Sequence, residues 1–162
     1  MAKNRFSESH GILGLTVDGD WNAGFSSDSI DMSKYNHACV IIIGDSSLAG
    51  AAVITVMAGA TAAAETAAIT FTYRYSGAAV GSASSDVFGA AATSSSLTTT
   101  VASMDSQVTL IEFDAADLNV SGTQYRYATV VVSAAGTAGT CDIVAILSEP
   151  RYMEAVMDTA QA

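Results

Sequence analysis

Ser46 is the first residue whose type and setting could do chemistry. It stands in Ile41-Ile-Ile-Gly44-Asp45-Ser46-Ser47-Leu48, where an apolar run ends in a Gly-Asp-Ser turn. A serine attacks a carbonyl only when a histidine takes its proton and an acid orients that histidine. The two histidines, His10 and His37, both lie upstream. A second cluster, Asp18-Gly-Asp20-Trp-Asn22-Ala-Gly24-Phe-Ser26-Ser-Asp28, sets oxygen ligands at the alternate positions that calcium favours. An EF-hand loop needs Gly at its sixth position and Glu at its twelfth, where this chain has Ala23 and Ser29. Glu112 and Asp114 share parity on one predicted strand, so both carboxylates face the same way, as in some glycosidases. Tyr73, Tyr75, Tyr125 and Tyr127 recur at period two and would suit either sugar stacking or cross-strand packing.

The Gly44-Asp45-Ser46 block resembles the opening block of the GDSL-type esterases. In that family the base sits in an Asp-x-x-His block near the C-terminus, on an α/β fold. Neither feature is present in this sequence. The block therefore reads as a strand followed by a turn, and no catalytic residue, cofactor site or metal site is assigned. Phosphate-binding glycine loops are absent too.

The elements around these residues are predominantly strands. His37 to Ile43 is a short β-branched apolar run that suits a buried strand. Ala52 to Met57 and Ala68 to Ser76 alternate, the latter with Ile69, Phe71, Tyr73 and Tyr75 on one side. Ala58 to Ala68 and Gly77 to Ser96 are small-residue loops, the second holding a short strand at Asp86 to Gly89. Leu97 to Ser103 and Gln107 to Phe113 read as two strands, and Asp114 to Asp117 as a turn or one turn of 3₁₀ helix. Gln124 to Ser133 and Thr140 to Leu147 read as a hairpin closed by Pro150. The pattern lacks βαβ units, so an all-β antiparallel sandwich of about eight strands, jelly-roll-like, is expected. First and last strands would then be neighbours, bringing Cys39 near Cys141. Residues 1–34, rich in turn formers, read as an N-terminal arm with one short strand at Ile12 to Val17. Residues 35–149 form the domain, and residues 150–162 a tail with one apolar helical face.

Composition limits the functions. Half of the 162 residues are hydrophobic, but thirty of them are alanine, so the core is thin. Charged residues are 14% of the chain, against about 25% in an ordinary domain. The formal net charge is −10, from 16 acids and 6 bases. That balance opposes direct nucleic-acid binding, which needs a basic face. No apolar run is long enough to span a membrane as a helix. The start, Met1 to Phe6, shows no apolar signal segment, so cytoplasmic synthesis and free cysteines are expected. Few charges, an arm and an apolar tail suggest surface that neighbours cover.

The segment Ser121 to Leu147 resembles the closing hairpin of small structural proteins of tailed bacteriophages, through Tyr125-Arg-Tyr-Ala-Thr-Val-Val-Val and the Gly/Ala/Thr loop after it. Tyr35-Asn-His-Ala-Cys-Val-Ile-Ile-Ile is similar to their opening strand. The resemblance covers roughly residues 35–149 and implies a capsid decoration (cement) protein. Such a protein is non-enzymatic, often a homotrimer, and sits on the capsid exterior against the major capsid protein. Phe6, Trp21, Phe25, Arg151, Tyr152, Met153, Val156 and Met157 are the expected inter-subunit contacts. A tail or neck component and a carbohydrate-binding module are the alternatives.

Overall fold

Two of the three longest strands alternate regularly between buried and outward side chains. Tyr35–Gly44 buries Tyr35, Ala38, Val40 and Ile42 and turns Cys39, Ile41 and Ile43 the other way. Thr140–Pro150 does the same with Cys141, Ile143, Ala145 and Leu147. The computed structural model describes residues 6–151 and 159–162. After a short helix, α1 (Phe6–Ser9), come β1 (Gly11–Asp20), β2 (Phe25–Ser26), β3 (Ile30–Asp31), β4 (Tyr35–Gly44) and β5 (Val53–Gly59). Next are β6 (Ala67–Ala68), β7 (Phe71–Tyr75), β8 (Ala92–Ser94), β9 (Leu97–Thr98), the helix α2 (Val101–Met104) and β10 (Val108–Asp114). A 3₁₀ turn (Ala115–Leu118) leads to β11 (Asn119–Val120), β12 (Thr123–Gln124), β13 (Tyr127–Val132) and β14 (Thr140–Pro150).

The larger sheet runs β1-β14-β4-β10-β7-β8, and the smaller β2-β13-β5-β6, with β3 also on β13 and β9 on β5. With β7 and β8 set apart as an extension of the larger sheet beyond β10, the passes of the chain run first–eighth–third–sixth in the larger sheet and second–seventh–fourth–fifth in the smaller. That is the order of an eight-pass jelly roll, the expected architecture. Inward side chains of the two sheets meet in one core. Val40, Ile42, Ile111, Phe113 and Ile143 come from the larger sheet, and Ile54, Val56, Val130 and Val132 from the smaller. Alanines are not confined to loops: Ala38, Ala58, Ala128 and Ala145 occupy inward positions.

Several expectations need correction. The arm is not an arm from Gly11 onward. β1 pairs with β14 along its length, and β2 and β3 pair with β13. Two register shifts, between Gly14 and Thr16 and between Thr16 and Gly19, break the alternation that would have marked β1 as a long strand. Trp21 is 0% exposed and belongs to the core, so it is no inter-subunit contact. β13 and β14 are not a hairpin, because they lie in opposite sheets and the loop between them crosses the sandwich. Leu97 to Ser103 is not one strand. After β9 the chain turns into α2, where the Ser103 hydroxyl accepts a hydrogen bond from the Thr100 amide at 3.0 Å. The expected strand from Ala68 breaks at Ile69–Thr70, where the chain leaves the smaller sheet as β6 and joins the larger as β7. The helical face of the tail (Tyr152, Met153, Val156 and Met157) lies outside the described residues. Beyond it the chain returns: Asp31 donates to Ala160 O at 2.7 Å, and Ser29 and Ala162 exchange backbone bonds.

β4 and β14 are neighbours, yet Cys39 faces Ile146 and Cys141 faces Gly44. Five register positions separate the cysteines, about 16 Å at 3.3 Å per residue, and they point to opposite faces. A disulfide needs Cα atoms within about 7 Å. Burial, with Asp142 nearby, pushes the Cys141 thiol up to about 12. Native chain should therefore take one equivalent of a thiol reagent at Cys39 and a second only after unfolding, read by intact mass. An oxidised species two mass units lighter would contradict this register.

At the edge of the smaller sheet, Arg126 grips Asp31 with two hydrogen bonds, Nε to Oδ1 at 2.9 Å and Nη2 to Oδ2 at 2.5 Å. Burial alone would raise the Asp31 carboxyl, but Arg126 and Ser33 override it and hold it near 2, against 3.8 when free. A carboxyl lowered on folding adds stability above its unfolded pKa and loses it as pH falls. The loss here should fall between about pH 4 and pH 2 and amount to about 2 kcal/mol. In the Arg126→Met chain, denaturant titrations over this range should lose most of that acid-dependent slope, and stability at pH 7 should fall.

Candidate functional site

Three central strands of the larger sheet are apolar on both sides. Their inward residues fill the core, and their outward residues form a second apolar surface. Cross-strand register puts Ile12, Ile146 and Cys39 in one row, Val144, Ile41 and Leu110 in the next, and Ile43 beside Val108 in a third. None of these eight residues is buried, and the ends are open, Ile12 at 58% and Ile43 at 37% exposure. The outer face of the smaller sheet is treated differently. There Thr129 points outward yet is buried, because the chain around Ser29 and the loop after β5 fold over it. Ser29 Oγ lies 2.8 Å from Thr129 Oγ1 and accepts from the Ala63 amide, and Ser26 donates to Glu65. Loops thus cover part of the smaller sheet's outer face, where Val53, Met57 and Val131 stay half-buried, while the larger sheet's outer face carries continuous apolar rows that are half-buried at the centre and exposed at Ile12 and Ile43.

Charge borders this patch at both ends. Above it, His37 Nδ1 lies 2.7 Å from Asp114 Oδ1 and its Nε2 lies 3.8 Å from Glu112 Oε1. Glu112 and Asp114 do face the same way, as their parity implies, and they hold an imidazole between them. Below it, Asp142 sits beside Ile43 in register and accepts from the Asp18 amide at 2.8 Å. Arg74 is opposite Leu110 on the far side. Among the described residues the rim thus holds Glu112 and Asp114 at one end and Asp142, with Asp18 beside it, at the other, against the Arg74 guanidinium.

The other sequence motifs are spent locally. Ser46 lines a cleft of about 450 Å³ with Asp18, Asp45 and Asp142. The Asp45 carboxylate accepts from the Ser47 hydroxyl and the Ser46 amide, which lowers its pKa, as a turn requires. His37 stands at the opposite end of β4 from Ser46, and His10 is stacked on Phe6 with centroids 4.1 Å apart. The oxygens of Asp18 to Asp28 do not converge: Asp20 caps the turn at Asn22, and Asp28 accepts from Gln161. The tyrosines divide between elements. Tyr73 and Tyr75 meet edge-on, 5.5 Å apart, at the rim of the core on β7, whereas Tyr125 and Tyr127 lie at the entry to β13. They build no common platform.

Of the expected contact residues, Phe6 is 53% exposed, Phe25 is half-buried against the core, and Arg151 is exposed. Arg151 lines a groove of about 670 Å³ with Met32, Asn36, Gln124, Tyr125 and Arg126. The polar groups at its floor are engaged: Arg126 holds Asp31, and Gln124 Nε2 donates to Ala115 O and Tyr125 O at 3.0 Å. The outward apolar patch is absent from the sequence-derived contacts. Its signal was present in Ala38-Cys-Val-Ile-Ile-Ile, Val108-Thr-Leu-Ile and Ile143-Val-Ala-Ile, where both parities are apolar in three strands at once. A run of that kind marks a strand with apolar surroundings on both faces.

No protein-family model and no curated protein matches the chain. Among solved structures, the SPBc2 prophage-derived protein YomS superposes with a TM-score of 0.53 over 85% of this chain and 91% of that one, at 14% identity. The two chains share a fold.

Proposed function

We propose that this chain is a non-enzymatic virion protein of a tailed phage that seats on the outer surface of the capsid and stabilises it across capsomer boundaries. The observation that carries the reading is the open apolar face of the larger sheet. The largest contiguous apolar patch on a protein of this size is often a functional contact surface. The fold shared with a prophage-derived protein supports a phage setting. The net charge of −10 supports an outward position, away from packaged DNA. The mechanism is mechanical: apolar area buried against the capsid protein raises the free energy of opening the shell. Assembly as a homotrimer belongs to the same proposal.

The test is reconstitution. Purified chain is added to expanded heads lacking it, and bound copies are counted by quantitative gel. Saturation at hundreds of copies per head, with a higher temperature of head opening, is the expected result. About a dozen copies or fewer would instead make it a tail or neck component, and no binding would end the virion-surface reading.

A further inference from the structure

We infer that the outward face of the larger sheet docks a different protein, one presenting a flat apolar centre ringed by lysine and arginine, rather than a second copy of this chain. The inference rests on the capsid reading for the partner's identity but takes its chemistry from the face itself. The patch spans four strands, five residues along β4 and three or fewer along each of the others, a footprint below roughly 300 Å² at ordinary strand spacings. A stable interface buries about 800 Å² on each side. The contact must therefore extend past the apolar rows and take in the rim. That rim holds Glu112 and Asp114 at one end and Asp142 and Asp18 at the other, with Arg74 and His37 among them. Two copies packed face to face would bring acidic ends together in either orientation, on chains that each carry −10. Desolvating like charges against each other opposes that pairing. A basic rim on the partner turns the same carboxylates into attractive contacts, while Ile41 and Val144 supply the dehydrated centre.

Two variants separate the parts of this inference. Ile41→Thr with Val144→Thr removes the apolar centre while keeping β-branched side chains and net charge. Glu112→Lys with Asp142→Lys reverses the rim. Folding is checked by thermal unfolding, and binding is measured first on expanded heads at low and high salt. A tenfold or greater loss for each variant is expected, with the salt dependence flattened only in the second. Wild-type binding by either variant overturns the inference. The second measurement needs no phage component: retention on matrices bearing octylammonium, octylcarboxylate or octyl groups alone. Wild type should be held best by octylammonium, and the threonine variant, equal in charge, should elute at clearly lower salt. Equal elution overturns the inference. Heads left bare by wild type, with the matrix result intact, would remove the capsid reading alone. Sedimentation equilibrium supplies the last arm: a wild-type oligomer that dissociates in the threonine variant would make this face a self-contact and overturn the inference.

Discussion

The fold depends on β14 having a neighbour on each side. It pairs with β1 over Gly11 to Asp20 and with β4 over Tyr35 to Gly44. The first and third passes of the chain are thus joined only through the eighth. The core follows from that arrangement, because Ile143, Ala145 and Leu147 lie between Leu13 and Leu15 on one side and Ala38, Val40 and Ile42 on the other. The outer face follows from it as well, since Val144 and Ile146 bridge Ile12 to Ile41 and Cys39. A side-chain period of two means that one register sets both faces at once. The same pairing that hides Ile143 therefore displays Val144.

Much of this was legible where one strand face is buried and the strand is unbroken. The β5 segment announces itself by alternation and β4 by a short β-branched apolar run, Pro150 marks the end of β14, and the 3₁₀ turn at Ala115–Leu118 lies one residue from the expected Asp114 to Asp117. Their absence of crossover helices was enough to choose an antiparallel sandwich. β1 was hidden by its own irregularities. Bulges near Thr16 and a left-handed Asp18 (φ 51°) interrupt the alternation after Leu15 and leave Val17 exposed, and the turn-forming aspartates then outweigh the apolar residues. The β13–β14 error has another origin. A loop of small residues between two apolar runs is equally compatible with a hairpin and with a crossing between sheets. Only the partners of each strand, remote in sequence, decide between them.

The candidate site was legible in composition before it was legible in position. A low charge fraction implied covered surface, and the arm and tail were the natural places to look for it. The structure locates the uncovered apolar residues among strands already read as core. Ile41 and Ile43 were treated like Val40 and Ile42, because a continuous apolar run does not reveal which of its faces the chain itself covers. Trp21 shows the converse. A large aromatic in a turn-rich segment resembles an exposed anchor, yet Asp20 caps the turn that carries the indole into the core.

The threading of β14 between β1 and β4 also governs when the molecule can be completed during synthesis. The N-terminal strand emerges first and has no sheet partner until the last strand leaves the ribosome more than a hundred residues later. Until then β1 and one edge of β4 present unpaired backbone, and the apolar rows on both faces are split. Folding of such a chain is dominated by contacts remote in sequence, which are slow to close. Nascent chains meet one another during that interval with open strand edges. The ten acidic charges in excess are carried throughout it, and like-charged chains stay apart while they wait for their final strand.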